Sequence, residues 1–194
     1  MNKTETLKDG VKVLIRKPGM EDVDVILKFF KTLPVEDRKY LQIDVTNRAS
    51  VERRLKRAVD GIAPRIVAVL DGDIVAYGLL EISEDESRNH LGELRVLVAM
   101  PMKRKGLGLI MMRELYFLAA QKKIKKIIAK IMRPQMAARS VCHKLGFERE
   151  SLIPDYVLDR DGKLQDLIVM SCNMTDIWHE LETLYMDSDW QRCR

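Results

Sequence analysis

Apolar and polar residues alternate from Val11 to Lys17, with Val11, Val13 and Ile15 on one side, the period of a half-buried strand. Asp9-Gly10 sets a turn before this run and Pro18-Gly19 ends it. From Glu21 to Leu33 the period lengthens: Val23, Ile26, Leu27 and Phe30 share a helical face, and Pro34 stops the helix. Ser50 to Val59 predicts a second helix, capped by Ser50, with Val51, Leu55 and Val59 each one turn apart. Arg65–Leu70 and Ile74–Ile82 flank Asp71-Gly72-Asp73 and predict a hairpin.

After the polar loop Ser83–Asn89, Leu91–Val98 reads as a strand. A basic glycine loop, Lys103 to Gly108, then opens a helix running from Leu107 to about Gln121, with Leu107, Ile110, Met111, Leu115 and Leu118 turned to the core. Ile124–Met132 predicts a strand one helix later, the spacing of a βαβ unit. A short helix from about Gln135 to Leu145 ends at Gly146. Phe147–Leu158 and Leu164–Cys172 close as a hairpin around Asp159–Gly162. Thr175 or Asp176 starts a last helix with Ile177, Trp178, Leu181, Leu184 and Tyr185 along one side. The expected class is α+β: a central mixed, mostly antiparallel sheet with helices on both faces. Residues 1–174 would form one domain, and 175–194 an amphipathic helix or tail that packs on its own sheet or seams a homodimer.

The 194 residues, 46% apolar and 32% charged, have the proportions of a soluble globular chain rather than a disordered one. No apolar run approaches the ~20 residues of a membrane helix, and the polar N-terminus lacks a signal peptide's apolar core. Cys142, Cys172 and Cys193 are odd in number and without CxxC spacing, which argues against a disulfide framework or zinc site. A reducing cytoplasm and no metal are expected. The net charge of +5 is modest, but it is concentrated: between 103 and 130 nine lysines and arginines face Glu114 alone. The Lys122–Lys130 run lacks interleaved aromatics for base stacking. It reads as a solvated helix end and strand entry whose lysines suit the negative end of the helix dipole, and no nucleic acid is expected.

The glycine loop carries the chemistry. A strand enters it, two glycines let backbone approach a ligand, and the first helical N–H groups point outward at the positive dipole end. That suits a phosphorylated ligand. A Walker loop is absent, and Met111 stands where a dinucleotide fingerprint needs its third glycine.

Lys103-x-x-Gly106-x-Gly108, after a strand ending at Val98 and before an amphipathic helix, resembles the acyl-CoA pyrophosphate loop of the GNAT acyltransferase superfamily. Ala138-x-x-x-Cys142-x-x-x-Gly146-Phe147 is similar to its second signature, and the order of elements agrees over nearly the whole chain. The Glu93–Gly106 spacing and the Asp9–Arg16 opening resemble the branch that acetylates lysines on proteins. The resemblance implies a sheet that splays after the Glu93 strand and holds acetyl-CoA there as co-substrate. Pantetheine would bond backbone at Val96, Leu97 and Val98, and pyrophosphate would rest on the amides of Arg104, Lys105, Gly106, Leu107, Gly108 and Leu109. Three positions depart from the pattern. Lys103 replaces an arginine or glutamine, losing the planar fork. Gln135 stands where many members have asparagine. Cys142 replaces a tyrosine that can protonate the departing thiolate.

Glu93 lies in a strand otherwise built of leucine, valine, glycine and Arg95, so its carboxylate is expected to be partly desolvated with a raised pKa. Acyl transfer to an amine needs a base, and in that branch a glutamate on this strand serves. The alternative is a solvated carboxylate paired with Arg95, on the same side of the strand. Glu81 is a reserve base or a surface carboxylate, and His90 reads as a loop residue. Cys142 and His143 diverge by about 100° on a helix and do not make a nucleophile pair. Cys142 is expected on a core stripe with Ala138, Val141 and Leu145. The sequence thus predicts an acetyl-CoA-dependent N-acyltransferase acting on a primary amine of a small molecule, peptide or protein lysine. A CoA-binding sensor and a nucleic-acid-binding protein are the alternatives.

Overall fold

The computed structural model describes residues 2–38, 41, 45–83, 85–159 and 161–175. The strands are β1 (Asn2–Thr6), β2 (Lys12–Arg16), β3 (Arg65–Leu70), β4 (Asp73–Ile82), β5 (Leu91–Val98), β6 (Lys126–Met132), β7 (Arg149–Leu158) and β8 (Leu164–Asn173). The helices are α1 (Val23–Thr32), α2 (Val35–Arg38), α3 (Arg48–Val59), α4 (Leu107–Gln121) and α5 (Met136–Lys144). They form two compact units: Met1–Ile82 with Leu94–Leu118, and Ser83–Glu93 with Ala119 onward.

In the first unit the strand order is β1-β2-β3-β4-β5, antiparallel from β1 to β4. β1 was not anticipated, because Asn-Lys-Thr-Glu-Thr has no apolar alternation; it is an edge strand whose side chains stay mostly exposed. α2 was also unpredicted. α3 begins at Arg48, two residues before the expected cap. Its cap is Asn47, whose Oδ1 accepts the Ser50 amide at 3.1 Å, so Ser50 lies within the first turn. Val23, Ile26 and Phe30 from α1, Val51 and Leu55 from α3, and Val67 and Tyr77 from the sheet form one buried cluster. α4 is apolar nearly all round, with Leu107, Met111 and Leu115 fully buried, although Ile110 is half-exposed. It packs close to β4 because Gly78 has no side chain: a Cβ there would stand 3.0 Å from Leu115 Cδ1 and 3.3 Å from Met111 Cε. Arg113 and Glu114 are buried in the same helix and tied to each other, with Arg113 also donating to Glu5 at 2.6 Å from β1.

The second unit has the order β5-β6-β8-β7. β5 and β6 are parallel, as the βαβ spacing requires, and β6-β8 and β8-β7 are antiparallel. Sheet pairing is therefore mixed and mostly antiparallel, and the fold is α+β as expected. The β5–β6 register covers Leu91–Glu93 against Lys126–Ile128. The closing hairpin turns on buried Asp159, whose carboxylate accepts the amides of Asp161 and Lys163 and the Gln165 side chain. Its strand starts at Arg149 rather than Phe147, which is fully buried. The described chain stops at Thr175, so the face Ile177–Tyr185 lies outside the described residues. Among those described, no helix is long and apolar enough to cross a membrane.

Candidate active site

In the first unit β5 contributes Leu94–Val98 and is the last strand of its side of the order, so Val96, Leu97 and Val98 present one backbone edge not used by β4. A short 3-10 turn, Met100–Met102, leads into the basic loop. The chain reverses at Arg104 (φ 66°) and Gly106 (φ 88°), both in the left-handed region. That conformation is natural for Gly106 and strained for Arg104. Successive turns of this kind orient backbone N–H groups into a concave anion-binding nest.

α4 begins directly at Leu107. Its first bonds are donated by the Leu109 and Ile110 amides to the Gly106 carbonyl, at 3.1 and 3.2 Å. The Leu109 amide thus bonds within the helix, while Leu107 and Gly108 precede the first bond. The loop cations are also less free than the sequence suggested. Lys103 Nζ lies 2.9 Å from Asp37, and Lys105 Nζ lies 2.8 Å from Asp9. The Lys8 amide donates to the Lys105 carbonyl, so the turn between β1 and β2 braces the loop from behind. Arg104 is exposed at the tip. The residues fit an anionic phosphate ligand: a glycine-lined backbone turn, a helix start and basic side chains.

A cavity open to solvent lies in the same unit, with about 460 Å³ of empty space once the solvent at its mouth is counted. Phe30 and Leu97 are among its apolar walls, and Tyr77, Arg54, Arg65 and Arg95 supply the polar atoms. Phe30 and Tyr77 pack with ring centroids 5.1 Å apart. Arg65 is 2% exposed. It donates through Nη1 to the Ala63 carbonyl at 2.6 Å and through Nη2 to Glu81 Oε1 at 2.5 Å, and its buried Nε has no hydrogen-bond partner. Arg54 Nη1 stands 3.9 Å from the same Glu81 oxygen. Glu81 is thus a counter-ion to buried arginine rather than a surface carboxylate. Burial lowers the Arg54 pKa, and the positive charges of Arg65 and Arg95 lower it further against the opposing pull of Glu81. Burial pushes the Tyr77 hydroxyl up. Sequence reasoning missed this cluster, although an arginine opening the apolar run Arg65–Leu70 was a visible signal.

The second unit holds Glu93, whose side chain is 23% exposed. Its Oε2 meets Lys130 Nζ at 2.8 Å, across the parallel pair. Gln135 precedes α5, and its Oε1 accepts the Met132 amide at 2.9 Å, closing the turn out of β6. Cys142 is buried, and burial pushes its thiol up to about 12. It packs as a core residue, with Leu145 buried three residues on, whereas Ala138 and Val141 are exposed and leave the stripe predicted for them. His143 is exposed beside it. Among the described residues, no group of three or more His, Cys, Asp or Glu side chains is arranged to hold a metal ion.

Residues 29–147 match the acetyltransferase (GNAT) family. The chain belongs to this family of acetyltransferases. It is 26% identical over 108 residues to the L-amino acid N-acetyltransferase AaaT of Escherichia coli (strain K12), a match covering 55% of this chain and 66% of that protein, just under two thirds of its length. The structure of yncA from Salmonella typhimurium, which holds acetyl-CoA, superposes with a TM-score of 0.74 at 18% identity, covering 84% of this chain and 94% of that one. Ribosomal-protein-alanine N-acetyltransferase from Brucella melitensis gives 0.71 at 22% identity, covering 82% and 98%. At these identities the solved structures establish the fold.

Proposed function

We propose that the chain transfers an acetyl group from acetyl-CoA to a primary amine, by direct attack when both are bound. The observation that carries this reading is the run from Leu94 to Gly108: an edge strand, a left-handed basic turn and a helix start, in a chain whose family is the acetyltransferases. Acetyl-CoA, when bound, supplies an acetyl carbonyl activated by its thioester. Amides of Arg104 to Gly108 receive the pyrophosphate, with the Lys103, Arg104 and Lys105 charges beside it. Backbone of Val96, Leu97 and Val98 bonds the pantetheine arm and polarises the thioester oxygen. Gln135, already fixed on the Met132 amide, supports the second signature of the site.

Glu93 acts as the base. The acceptor arrives as an ammonium and gives one proton to the Glu93 carboxylate, directly or through water. Its nitrogen forms the new N–C bond at the acetyl carbonyl as the C–S bond breaks. The second nitrogen proton ends on the CoA thiolate by way of water, since Cys142 is buried and holds its own proton far above neutrality. One proton leaves Glu93 to solvent, and the products are the amide and free CoA. Lys130 holds the carboxylate in place.

Two measurements test this reading. Calorimetric titration should show micromolar, near-stoichiometric binding of acetyl-CoA. Glu93→Gln should reduce thiol release with a responsive amine by at least about 100-fold, with acetyl-CoA affinity changed less than about twofold. Loss of acetyl-CoA binding in that variant would make Glu93 structural, and no binding by the native chain would end the reading.

A further inference from the structure

β1 is an edge strand that buries almost nothing: four of its five side chains are exposed and Glu5 is half-buried. Beyond its ladder with β2, its side chains bond α4. Glu5 Oε1 accepts from Arg113 Nη2 at 2.6 Å, and Lys3 Nζ donates to Glu114 Oε1 at 3.2 Å. Lys3 also lies 2.8 Å from Glu5, and Arg113 bonds Glu114. Two acids and two bases thus form one partly buried network between β1 and the second turn of the helix.

The turn after β1 carries the same attachment onto the glycine loop. Leu7 is buried and roots it. Lys105 stands between the left-handed residues Arg104 and Gly106, and the turn holds it by backbone and side chain alike. The Lys8 amide donates to its carbonyl at 3.2 Å, and its ammonium lies 2.8 Å from Asp9. Asp9 is itself fixed, accepting the Val11 amide at 3.3 Å. A left-handed residue other than glycine persists only where its surroundings over-determine it, and Arg104 is such a residue. The lengths also match. Glu5 to Lys8 spans about 10 Å of extended chain, and Leu107 to Arg113 about 9 Å of helix.

We propose that β1 and its turn are a clasp that holds the acyl-CoA phosphate loop in its binding conformation, with Asp9 and Glu5 as positioning residues. This rests on the acetyl-CoA reading above. Both carboxylates act through another residue, Asp9 through Lys105 and Glu5 through Arg113. A loop set before the ligand arrives loses less freedom on binding. Linkage is reciprocal, so acetyl-CoA on the loop must tighten β1 to the degree that the clasp favours acetyl-CoA.

Calorimetric titration of acetyl-CoA into Asp9→Asn and Glu5→Gln tests the clasp. The Asp9→Asn change keeps an acceptor for the Val11 amide and removes the charge that holds Lys105. Its sign is diagnostic. Neutralising a carboxylate that merely sat beside an anion site would tighten binding, whereas loss of the clasp weakens it. The dissociation constant should rise about threefold in Asp9→Asn, an exposed pair, and about fivefold or more in Glu5→Gln, a partly buried one. Hydrogen exchange across residues 2–10 of the native chain should slow about threefold or more when acetyl-CoA saturates. A purely structural role would lower the unfolding temperature and leave both readouts unmoved. Affinity unchanged or raised in either variant, or exchange unchanged on binding, overturns the clasp and leaves acetyl transfer standing. No binding of acetyl-CoA by the native chain removes both. Should Glu5→Gln fail to fold, Asp9→Asn and the exchange decide by the same outcomes.

Discussion

Lys130 Nζ lies 2.8 Å from Glu93 Oε2, joining two strands that run parallel and share only a short register. Neighbouring parallel strands carry these side chains to one place although 37 positions separate them in the chain. A base is useful only when its carboxylate is held where the proton leaves, and a lysine at that distance restricts the rotamers of glutamate. Lys130→Met should therefore lower kcat by about tenfold with little change in acetyl-CoA affinity. Steady-state rates with calorimetry on the same preparation would check both; unchanged kcat would make the pair a surface contact only.

Gly106 sits at φ 88°, with the side chain of Lys8 3.5 Å from where its Cβ would be. Space permits alanine, but the backbone conformation does not favour it. Gly106→Ala should strain the loop by about 1–2 kcal/mol and weaken acetyl-CoA binding by about tenfold, read by titration. Thermal unfolding without ligand would show how much of the strain the fold retains.

Arg16 grips Asp22 with two hydrogen bonds of 2.6 Å, and Asp22 also accepts the Gly19 amide at 2.8 Å. The guanidinium, with that amide, holds the Asp22 carboxyl below its ordinary value against the effect of burial. The ion pair therefore stabilises the folded state above the unfolded aspartate pKa of about 3.9, and the contribution fades as pH falls through the lower, folded value. Asp22→Asn should cost about 2 kcal/mol at neutral pH, with the gap to the native chain narrowing below about pH 4. Urea unfolding at a series of pH values would measure it.

Cys142 stands where the family resemblance has a tyrosine acid in many members, and its thiol is buried and pushed up to about 12. A thiol, rather than thiolate, reacts slowly with alkylating reagents. Iodoacetamide at pH 8 should leave Cys142 unmodified in the folded protein and label it in urea, read by peptide mass spectrometry. Cys142→Ala should keep kcat within about threefold, as expected for a small core residue.

Much of this architecture was legible in local pattern. Alternation in β2, the continuous apolar run of β3, the Asp71-Gly72 turn, the apolar α4 and the strand that follows it are each written in neighbouring residues. β1 was not, because an edge strand with polar side chains is specified by its partner's hydrogen bonds rather than by its own alternation. The α3 cap moved from Ser50 to Asn47 for a related reason: several neighbouring side chains could accept the first free amides, and backbone geometry chose between them.

By itself the sequence determined the strand, the basic glycine loop, the helix behind it and a glutamate on the strand, because those features are continuous in the chain and set by local backbone preference. Tertiary structure alone decided how the charges pair within each unit. It tied Lys103 to Asp37 and Lys105 to Asp9, gave Lys130 to Glu93, made Glu81 a counter-ion, and gathered Arg54, Arg65 and Arg95 around one cavity. Coulomb interactions depend on distance through space and on burial, and neither is written in the spacing of residues along a chain.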